Sequence, residues 1–387
     1  MDGKKPKVVF TYVEAGMGHI MPMSGMQDAF EKKYGDKCEI VKSYVFAQSK
    51  YKEVRKMGAM QSQHAKRMSN SRLLSILEAI SYAFPSRLVL FFLDRVFGKG
   101  RKLFFNDAKE LNPDLLVSSY YLPAHLFRQA NEKGLTDTLI VTYTPDYCVY
   151  PAWDRKCDVF LTHNEMAATM AIKHGFKKET VKIVPFIFKS GIENARIDKA
   201  AARKGLGLKD EYTILCTNGA YGTKNMIKLG RLIARENLPV KFIAVCGKNQ
   251  ALYKTLTDFA ATFSGRTEIC PIGFTDKLPE YMAAADLIIG KSSPGTVREA
   301  LLSGAPMITD GYINHNEKYC FAYCGRHKIT VCEKRTDRII DIIKKDLENS
   351  GYIKSLLSDL APYRDFTGAE KAADVLFGLL KTRFPDL

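Results

Sequence analysis

The chain has 387 residues, 46% of them hydrophobic and 26% charged, which is typical of a globular protein with room for two domains of about 190 residues each. It contains no apolar run near the ~20 residues of a membrane-spanning helix, and its first residues lack the apolar core of a signal peptide. Nine cysteines without a Cys-x-x-Cys pair indicate reduced cytosolic thiols rather than a disulfide framework, and seven scattered histidines have no zinc-ligand spacing. We therefore expect a cytoplasmic protein without a structural metal.

Short apolar runs alternate with helical segments along the chain, in two series. Such alternation predicts an α/β protein in which each domain has a parallel sheet covered by helices on both faces. The first series of predicted strands covers residues 7–12, 38–45, 115–118, 138–142, 159–162 and 181–184. The second series covers residues 212–216, 240–246, 267–270, 287–289, 307–309 and 329–331.

The composition changes after Pro185. Residues 186–209 are rich in Lys, Arg, Gly and Ala, and we interpret them as an interdomain linker that leads into a helix. Residues 365–382 have the pattern of an amphipathic helix. We predict a first domain over residues 1–190, a second over 191–365, and a closing helix over 366–387 that either stays with the second domain or crosses back to the first.

The net charge is +16. Half of this positive excess lies in residues 50–110, which contain 13 Lys and Arg and only 5 Asp and Glu. Basic residues here accompany large apolar side chains, a mixture typical of a surface on an anionic bilayer, where aromatic rings enter the headgroup region and cations meet lipid phosphates. A buried helix with a solvated basic rim is the alternative. Nucleic-acid binding is disfavoured, because aliphatic residues interrupt the basic ones and no nucleic-acid-binding fold is recognisable. The predicted membrane residues are Arg87, Phe91, Phe92, Arg95, Phe97, Lys99, Arg101, Lys102, Phe104 and Phe105.

Residues 285–308 predict a strand, a tight polar loop, a helix that starts near Thr296 and ends at Gly304, and a further strand. The N–H groups and the dipole of a helix N-terminus suit a diphosphate. Glu299 is expected in the first turn of this helix, where its carboxylate can accept hydrogen bonds from ribose hydroxyls. The pattern therefore predicts a nucleotide-diphosphate site in the second half of the chain, and an ordinary βαβ turn with a capping Ser and a surface Glu is the alternative.

A Gly-rich loop follows the first predicted strand and ends in His19. Gly16 and Gly18 let the backbone approach a ligand closely, and the loop lies at the carboxyl edge of the sheet, where open α/β sheets bind ligands. A neutral imidazole suits a general base near pH 7, whereas the alternative is a histidine that caps the following helix. Glu14 and Asp146 are further candidates, and Asp146 can either orient His19 or act as the base itself.

The stretch Lys291-Ser-Ser-Pro-Gly-Thr-Val-Arg-Glu-Ala is followed by Asn314-His-Asn-Glu, and five further motifs stand in order along the chain. The stretch resembles the donor-site motif of the monogalactosyldiacylglycerol synthases and of the bacterial processive diacylglycerol glycosyltransferases, which are related to MurG. The resemblance covers roughly residues 7–325 and implies a GT-B fold, in which an acceptor- and membrane-facing Rossmann-like domain faces a nucleotide-sugar-binding one across a cleft. The other motifs are Gly16-Met-Gly-His, Pro113-Asp-Leu-Leu-Val-Ser, Asn218-Gly, Cys246-Gly-Lys-Asn and Ile272-Gly-Phe-Thr, and Trp153 also lies where the family has a Trp.

The resemblance also implies roles for individual residues. His19 would take the proton from the acceptor hydroxyl as this attacks the anomeric carbon. In the donor site, phosphate oxygens would meet the polar loop, uracil would meet Phe274, ribose would meet Glu299, and sugar hydroxyls would meet Asn316 and Glu317. The implied donor-site residues are Gly219, Gly222, Gly247, Lys248, Phe274, Lys291, Ser292, Ser293, Gly295, Thr296, Glu299, Asn316 and Glu317.

Three positions depart from the family's pattern. Tyr143 stands where the relatives usually have Asp, so the carboxylate that supports His19 does not carry over. His315 stands where they have Gly, and Asn316 where they typically have Gln. Because His315 lies next to the expected sugar site, the identity of the donor sugar does not carry over either.

The sequence contains no Asp-x-Asp pair of the kind that holds a divalent ion in metal-dependent glycosyltransferases. Positive charge at the leaving diphosphate would then come from helix dipoles and from Lys291 and Arg298, although Arg298 is expected to face solvent. We therefore expect metal-independent chemistry, with no cofactor besides the UDP-sugar that serves as the donor substrate.

These observations favour an inverting, UDP-sugar-dependent hexosyltransferase that acts on a membrane lipid, with diacylglycerol as the expected acceptor. Its expected partners are the UDP-sugar, the lipid acceptor and an anionic membrane surface, and its expected place is the cytoplasmic face of the cell membrane, as a peripheral protein. One alternative is a UDP-sugar 2-epimerase, which shares the fold and needs no lipid site. The other is a non-catalytic nucleotide- or nucleic-acid-binding protein.

Overall fold

A computed structural model describes residues 5–12, 17–68, 80–82, 84–188, 197–219 and 222–387. The chain divides into two compact units: Met1–Glu193 together with Asp365–Leu387, and Asn194–Arg364. Each unit contains one six-stranded sheet in which every pair of neighbouring strands is parallel. No helix of the described residues is long and apolar enough to cross a bilayer.

The sheet of the first unit has the strand order β2-β1-β3-β4-β5-β6. All residues of β3, β4 and β5 are buried, because helices cover both faces of the sheet, and this explains their unbroken apolar runs. The strands are β1 (Lys7–Thr11), β2 (Glu39–Lys42), β3 (Leu115–Ser118), β4 (Leu139–Thr144), β5 (Val159–Thr162) and β6 (Val181–Ile183). The helices are α1 (Met17–Tyr34), α2 (Lys52–Met68), α3 (Ser86–Val96), α4 (Gly98–Leu111), α5 (Tyr121–Glu132) and α6 (Glu165–Lys173), with a 3-10 turn at Lys178–Thr180.

The sheet of the second unit has the strand order β12-β11-β10-β7-β8-β9. Its helices bury one apolar stripe each; α8, for example, buries Met226, Leu229, Gly230, Ile233 and Ala234, the spacing of one helical face. The strands are β7 (Thr213–Thr217), β8 (Lys241–Gly247), β9 (Glu268–Gly273), β10 (Leu287–Lys291), β11 (Met307–Gly311) and β12 (Val331–Cys332). The helices are α7 (Lys199–Leu206), α8 (Lys224–Arg235), α9 (Gln250–Thr262), α10 (Leu278–Ala284), α11 (Pro294–Ser303), α12 (His315–Arg326), α13 (Thr336–Glu348) and α14 (Tyr352–Ser355), with a 3-10 turn at Ala361–Arg364.

The last helix, α15 (Gly368–Arg383), returns to the first unit and packs against α1. The rings of Tyr34 and Phe377 are stacked with centroids 3.9 Å apart, and Asp374 accepts hydrogen bonds from Lys33 Nζ and Tyr34 Oη, each at 2.6 Å. Leu376 and Leu380 add to the core on this face of the sheet. The closing helix therefore crosses back to the first unit.

All twelve predicted strands are present, which confirms the predicted α/β fold class of two parallel sheets. The predicted runs at 38–45 and 329–331 shrink to four and two paired residues, Glu39–Lys42 and Val331–Cys332. Both strands lie at the edge of a sheet and have a single neighbour, so fewer residues find a hydrogen-bonding partner.

The predicted membrane segment is only partly exposed. Phe97, Phe104 and Phe105 belong to the hydrophobic core, with 8%, 0% and 9% of their surface accessible, so the prediction that they enter a membrane is wrong. The reason is that α4 packs one face against α2 and α5. Two of the predicted cations are also paired: Arg101 with Asp94, at 3.1 Å, and Lys99 with Glu53, at 2.8 Å.

Helix α3 differs from α4, because none of its residues is buried. Phe91 and Phe92 each keep 58% of their surface accessible, and Leu88 and Val96 are exposed beside them. Arg87, Arg95 and, on α4, Lys102 are exposed as well. The aromatic and basic surface expected from the sequence is therefore reduced to α3 and a few flanking cations.

Candidate active site

His19 lies at the point where the strand order of the first sheet reverses, between β1 and β3. It stands in the first turn of α1, and Ser119 directly follows β3. The two residues are joined twice: His19 Nδ1 lies 2.7 Å from the Ser119 carbonyl oxygen, and Ser119 Oγ donates to the His19 carbonyl oxygen at 2.9 Å. Open α/β sheets bind ligands at this reversal point, beyond the carboxyl ends of the strands.

The Ser119 carbonyl also fixes the tautomer of His19. A carbonyl oxygen can only accept, so the proton must reside on Nδ1, and in the neutral imidazole Nε2 then carries the lone pair. The ring is half-buried and lies edge-on to Tyr120, with centroids 5.6 Å apart. A backbone carbonyl, and not a carboxylate, therefore binds Nδ1 of His19 and keeps the proton there. This leaves the lone pair on Nε2, as a general base requires.

Asp146 follows β4 at the same edge of the sheet and is half-buried. Its N–H donates to Thr144 Oγ1 at 3.3 Å, and its carbonyl accepts from Asn164 Nδ2, also at 3.3 Å. Its role as an alternative base stays a prediction. Gly18 is exposed in the first turn of α1, with open space around the position of a Cβ, whereas Glu14 and Gly16 lie outside the described residues.

The predicted donor-site residues lie at or near the carboxyl edge of the second sheet. The strand order reverses there between β7 and β10. The N–H of Lys291 donates to Asn218 Oδ1 at 2.7 Å and so ties the loops after these two strands together. Asn218 therefore helps to build the site, although the sequence predicts no role for it beyond the Asn218-Gly motif. The residues are distributed as Gly219 and Gly222 after β7, Gly247 and Lys248 at the end of β8, Phe274 after β9, Lys291, Ser292, Ser293, Gly295, Thr296 and Glu299 from the end of β10 into α11, and Asn316 and Glu317 in α12.

Gly222 shows why this edge needs glycine. Its φ of +56° lies in the left-handed region that favours glycine, and a Cβ at this position would lie 2.4 Å from Leu252 Cδ2, so the Leu252 side chain would have to shift to admit it. The loop after β7 can therefore approach the neighbouring helix closely.

Helix α11 starts where the sequence predicts a phosphate-binding turn. Ser293 is its N-cap and accepts a hydrogen bond from the Thr296 N–H at 3.3 Å, Pro294 is the first helical residue, and Gly304 ends the helix with a φ of +81°. Gly295 is exposed at the helix N-terminus. The turn therefore offers an anion the positive end of a helix dipole.

Ser292 has a different place from the one predicted. It is fully buried, and its hydroxyl lies within hydrogen-bonding distance of the Gly311 and Glu317 carbonyl oxygens, at 3.0 and 2.9 Å. The hydroxyl thus joins the loop after β10 to the end of β11 and to α12. Because it is already satisfied and enclosed, the prediction that it holds a phosphate oxygen is wrong for this structure.

Lys291 and Glu317 form a buried ion pair, with 13% and 4% of their side chains accessible. Glu317 Oε2 also accepts from the Ile313 N–H at 2.7 Å, and the Glu317 N–H donates to the N-cap Asn314 at 2.9 Å. The expected sugar ligand Glu317 is therefore enclosed and paired, and its sugar-binding role stays a prediction. Asn316 beside it is half-buried.

Arg298 is buried, whereas the sequence predicts that it faces solvent. Its accessible fraction is 5%, and its Nη1 donates a hydrogen bond to the Tyr363 carbonyl oxygen at 3.1 Å. Together with the pairing of Lys291, this leaves the N-terminus of α11 itself as the main positive feature of the turn.

Phe274 and Lys248 form the exposed part of this edge. Phe274 keeps 62% of its surface accessible, and the Lys248 ammonium lies 5.4 Å from the centre of its ring. An exposed aromatic ring with a cation on it can stack a planar base. The contact of Phe274 with uracil stays a prediction.

Glu299 is the sixth residue of α11 and thus lies in its second turn, not in the first as predicted. The side chain is exposed, yet desolvation by the surrounding protein raises its pKa to about 7. A ligand can therefore reach the Glu299 carboxyl, and its pKa lies near neutral pH.

Two family models match the chain, one in each unit. Residues 19–185 match the monogalactosyldiacylglycerol (MGDG) synthase model, and residues 213–315 match the glycosyltransferase family 28 C-terminal domain. The first match starts at His19, and the second includes the start of α11.

The curated relatives include MGDG synthases and a diacylglycerol glucosyltransferase. A probable monogalactosyldiacylglycerol synthase from Nicotiana tabacum is 24% identical over 360 residues, which are 87% of this chain and 64% of that protein. A processive diacylglycerol beta-glucosyltransferase from Bacillus pumilus (strain SAFR-032) is 22% identical over 254 residues, 64% of each chain. The chain thus spans less than two thirds of the length of these relatives.

Solved structures share the fold across nearly the whole chain. MurG from Acinetobacter baumannii has a TM-score of 0.60 at 12% identity and covers 96% of this chain and 99% of its own. A putative UDP-N-acetylglucosamine 2-epimerase from Listeria monocytogenes has the same TM-score and identity, with 98% and 97% covered. At this identity the likeness establishes the GT-B fold alone. The two family models, matched in order, confirm the resemblance that the motifs predicted: residues 19–185 are similar to the MGDG synthases, and residues 213–315 are similar to the C-terminal domains of glycosyltransferase family 28.

Proposed function

We propose that the protein is an inverting glycosyltransferase that moves a hexose from a UDP-sugar to a membrane lipid, with diacylglycerol as the acceptor. The observation that carries this proposal is the position of His19, which is held by the Ser119 carbonyl at the reversal point of a sheet that matches the MGDG synthases. The names of the curated relatives, which specify diacylglycerol or its galactolipid, support the choice of acceptor.

The proposed reaction is a single displacement. His19 Nε2 takes the proton of the acceptor hydroxyl, and the hydroxyl oxygen attacks the anomeric carbon opposite the leaving group. The bond between this carbon and the phosphate oxygen breaks, its electron pair stays with UDP, and the configuration at the anomeric carbon inverts. A positioned general base of this kind contributes about 10²- to 10⁴-fold to the rate.

The donor would lie along the carboxyl edge of the second sheet. Phe274 would stack on uracil, Glu299 would accept a hydrogen bond from ribose, and the diphosphate would meet the N-terminus of α11 near Gly295 and Thr296. Asn316 would contact the sugar, while Lys291 and Glu317 would keep the loops in place from beneath. The leaving diphosphate would be stabilised by the helix dipole, so we propose that no divalent ion and no cofactor takes part.

The acceptor resides in a membrane, and α3 is the surface that fits one. Leu88, Phe91, Phe92 and Val96 have the spacing of one helical face and are all exposed. Arg87 and Arg95 lie on the same helix and would meet anionic lipid phosphates. We place the protein on the cytoplasmic face of the cell membrane, as a peripheral protein.

A UDP-sugar 2-epimerase is the second candidate, since a protein described as such an enzyme shares the fold. An epimerase has no use for an exposed apolar helix such as α3, and this favours the transferase. The test is to incubate the protein with UDP-glucose, UDP-galactose or UDP-N-acetylglucosamine and vesicles that contain diacylglycerol and anionic lipid. We expect a hexosyl-diacylglycerol in the lipid phase and UDP in the aqueous phase. A nucleotide sugar with an inverted C2 and no glycolipid would replace the proposal by the epimerase.

A further inference from the structure

The plane of the His19 ring needs more than one hydrogen bond to be fixed. The Ser119 carbonyl oxygen lies 2.7 Å from Nδ1, and this contact sets the tautomer and the place of one ring atom. The ring can still turn about the contact, because a carbonyl oxygen accepts hydrogen bonds over a broad range of directions. Each such turn moves Nε2, whose lone pair has to point at the acceptor hydroxyl for proton transfer.

Tyr120 supplies a second support for the ring. The planes of the Tyr120 and His19 rings are nearly perpendicular, at 82°, and their centroids lie 5.6 Å apart, which is a favourable arrangement of two aromatic rings. The backbone of Tyr120 is tied to Ser118, whose Oγ accepts from the Tyr120 N–H at 3.2 Å and donates to the Tyr120 carbonyl oxygen at 2.7 Å. The position of the Tyr120 ring therefore limits how far the His19 ring can tilt.

Gln61, on α2, holds the Tyr120 side chain at its hydroxyl. Gln61 Oε1 accepts hydrogen bonds from the Tyr120 hydroxyl at 3.1 Å and from the Tyr121 hydroxyl at 2.9 Å. The rings of Tyr120 and Tyr121 are stacked with centroids 4.5 Å apart, so one amide oxygen holds a pair of rings. Gln61 is 5% accessible and Tyr120 is 8% accessible, and a buried polar group that loses its partner costs free energy.

These hydrogen bonds lie inside an apolar cluster. Tyr120 and Tyr121 belong to the same hydrophobic core as Val54 and Met57 of α2. Apolar packing has no preferred direction, whereas a hydrogen bond does, so Gln61 sets the rotation of the two rings within this core. Helix α2 belongs to the insertion between β2 and β3 that also carries α3 and α4, and it packs against α4.

We propose that Gln61 is a positioning residue for the reaction, which fixes the plane of the His19 imidazole through Tyr120 and so directs Nε2. Gln61 touches Tyr120 and not the substrate. The inference rests on the proposed function, because the ring plane matters for turnover only if His19 is the base. It deepens that function by connecting the base to the insertion that carries the proposed membrane surface.

Steady-state kinetics of the full-length protein test the proposal, with diacylglycerol in anionic vesicles and the UDP-sugar that gives product. Gln61→Met keeps the length of the side chain and removes the acceptor oxygen. Its kcat should fall about tenfold, because a slightly misplaced base costs turnover, while KM for the UDP-sugar should change by less than about twofold. Gln61→Glu should restore most of the turnover, because a carboxylate accepts from both hydroxyls.

A second variant and a matched control each remove one tyrosine hydroxyl. Tyr120→Phe keeps the ring and loses the hydrogen bond to Gln61, so its kcat should fall by about threefold or more. Tyr51→Phe is the control, because its hydroxyl accepts a hydrogen bond from Asn106 Nδ2 at 3.4 Å in the same insertion. This variant should keep the wild-type kcat.

The tautomer of His19 gives a readout that does not depend on activity. In protein labelled with ¹⁵N-histidine, the His19 signals are those that His19→Ala lacks. At about pH 9, where an ordinary imidazole is neutral, NMR should place the proton of wild-type His19 on Nδ1. In Gln61→Met and Tyr120→Phe part of it should move to Nε2, because a ring that turns loses its alignment with the Ser119 carbonyl.

A Gln61→Met variant with the wild-type tautomer and the wild-type kcat overturns the proposal. A raised KM at unchanged kcat also overturns it, since Gln61 would then serve substrate binding. If Gln61→Met does not fold, Tyr120→Phe decides by the same two readouts. A shifted tautomer in the variants, together with no glycolipid from any of the proteins including the wild type, supports the positioning role of Gln61 and overturns the proposed function.

Discussion

Lys291 and Glu317 join the end of β10 to α12 through an ion pair that is almost entirely enclosed. The pair lies at the edge of the sheet where the sequence places a diphosphate and a sugar. Each charge compensates the other, so the pair holds the end of β10 against α12. It also presents little net charge to a ligand. The charge that the proposed diphosphate would meet there is therefore the N-terminus of α11.

Breaking this pair should destabilise the protein strongly. Glu317→Gln leaves the Lys291 ammonium enclosed without a counter-charge, and we expect a loss of roughly 3 kcal/mol in the free energy of unfolding, measured by urea denaturation. Asp258→Asn is the control, because it removes an exposed pair with Lys254 and should change stability by less than about 0.5 kcal/mol. Equal effects of the two substitutions would mean that the Lys291–Glu317 pair does not hold the site together.

Removing the imidazole of His19 should abolish most of the turnover. We expect His19→Ala to lower kcat by about 10²- to 10⁴-fold while UDP affinity changes little, since the ring is assigned to proton transfer and not to the donor. Asp146→Asn serves as the comparison and should be much less affected. The opposite ranking, with Asp146→Asn inactive and His19→Ala active, would move the base to Asp146.

Glu299 should make donor binding depend on pH. Its raised pKa of about 7 leaves the free carboxyl partly protonated at neutral pH, and only the ionised form accepts a hydrogen bond from ribose without a competing proton. The affinity for UDP, measured by calorimetry, should therefore rise from about pH 6 to about pH 8 in the wild type and stay flat in Glu299→Gln. The same pH dependence in both proteins would exclude Glu299 from the site.

The same carboxyl should affect stability with the opposite trend. Because the pKa of Glu299 is higher in the folded chain than its ordinary value of 4.5, the folded state loses stability as the pH rises from that value through about 7. Glu299→Gln removes this loss, so its melting temperature should exceed that of the wild type at about pH 8 and match it at about pH 4. A lower melting temperature of the variant at the higher pH would contradict the assigned shift.

Membrane contact should depend on α3 and not on α4. Replacing both Phe91 and Phe92 by Ser should remove the protein from anionic vesicles without a loss of stability, because both rings are exposed. Phe104→Ala should instead cost about 3–5 kcal/mol of stability, because Phe104 is fully buried in the core. Vesicle sedimentation and urea denaturation separate the two effects. Unchanged sedimentation of the Phe91 and Phe92 double variant would show that α3 is not the membrane surface.

The cations of α3 should supply the salt-dependent part of this binding. Arg87 and Arg95 are exposed, and each should contribute about 1 kcal/mol near an anionic surface. Their joint replacement by Gln should weaken vesicle binding at low salt and make it insensitive to added salt. Replacing Arg101 is unsuited to this test, because it would also remove the pair with Asp94.

The sheets and the donor edge could be predicted because their signals are local. Strands buried on both faces are continuous apolar runs, and in a parallel sheet the residue after each strand falls on the same edge whatever the packing. The positions of His19 and Ser293 after a strand could therefore be predicted, although the partner of His19, the Ser119 carbonyl, has no sequence signal.

The remaining features depend on contacts between distant residues. Phe104 and Phe91 lie in similar mixtures of basic and apolar residues. Phe104 is buried and Phe91 is exposed because α4, and not α3, packs one face against α2 and α5. Asp94 on α3 meets Arg101 on α4 and His125 and Gln129 on α5 without any motif. Glu317 meets Lys291 across 26 positions of sequence. A single sequence shows the residue types at these positions but not which of them face each other.

The most direct test of the central claim is the anomeric configuration of the lipid product. With an α-linked UDP-hexose as the donor and diacylglycerol in vesicles as the acceptor, proton NMR of the purified glycolipid should show a β-linked sugar, formed by the wild type and not by His19→Ala. This is the result of one in-line displacement with His19 as the base. An α-linked product, or β-linked product formed equally well without the imidazole, would contradict the account.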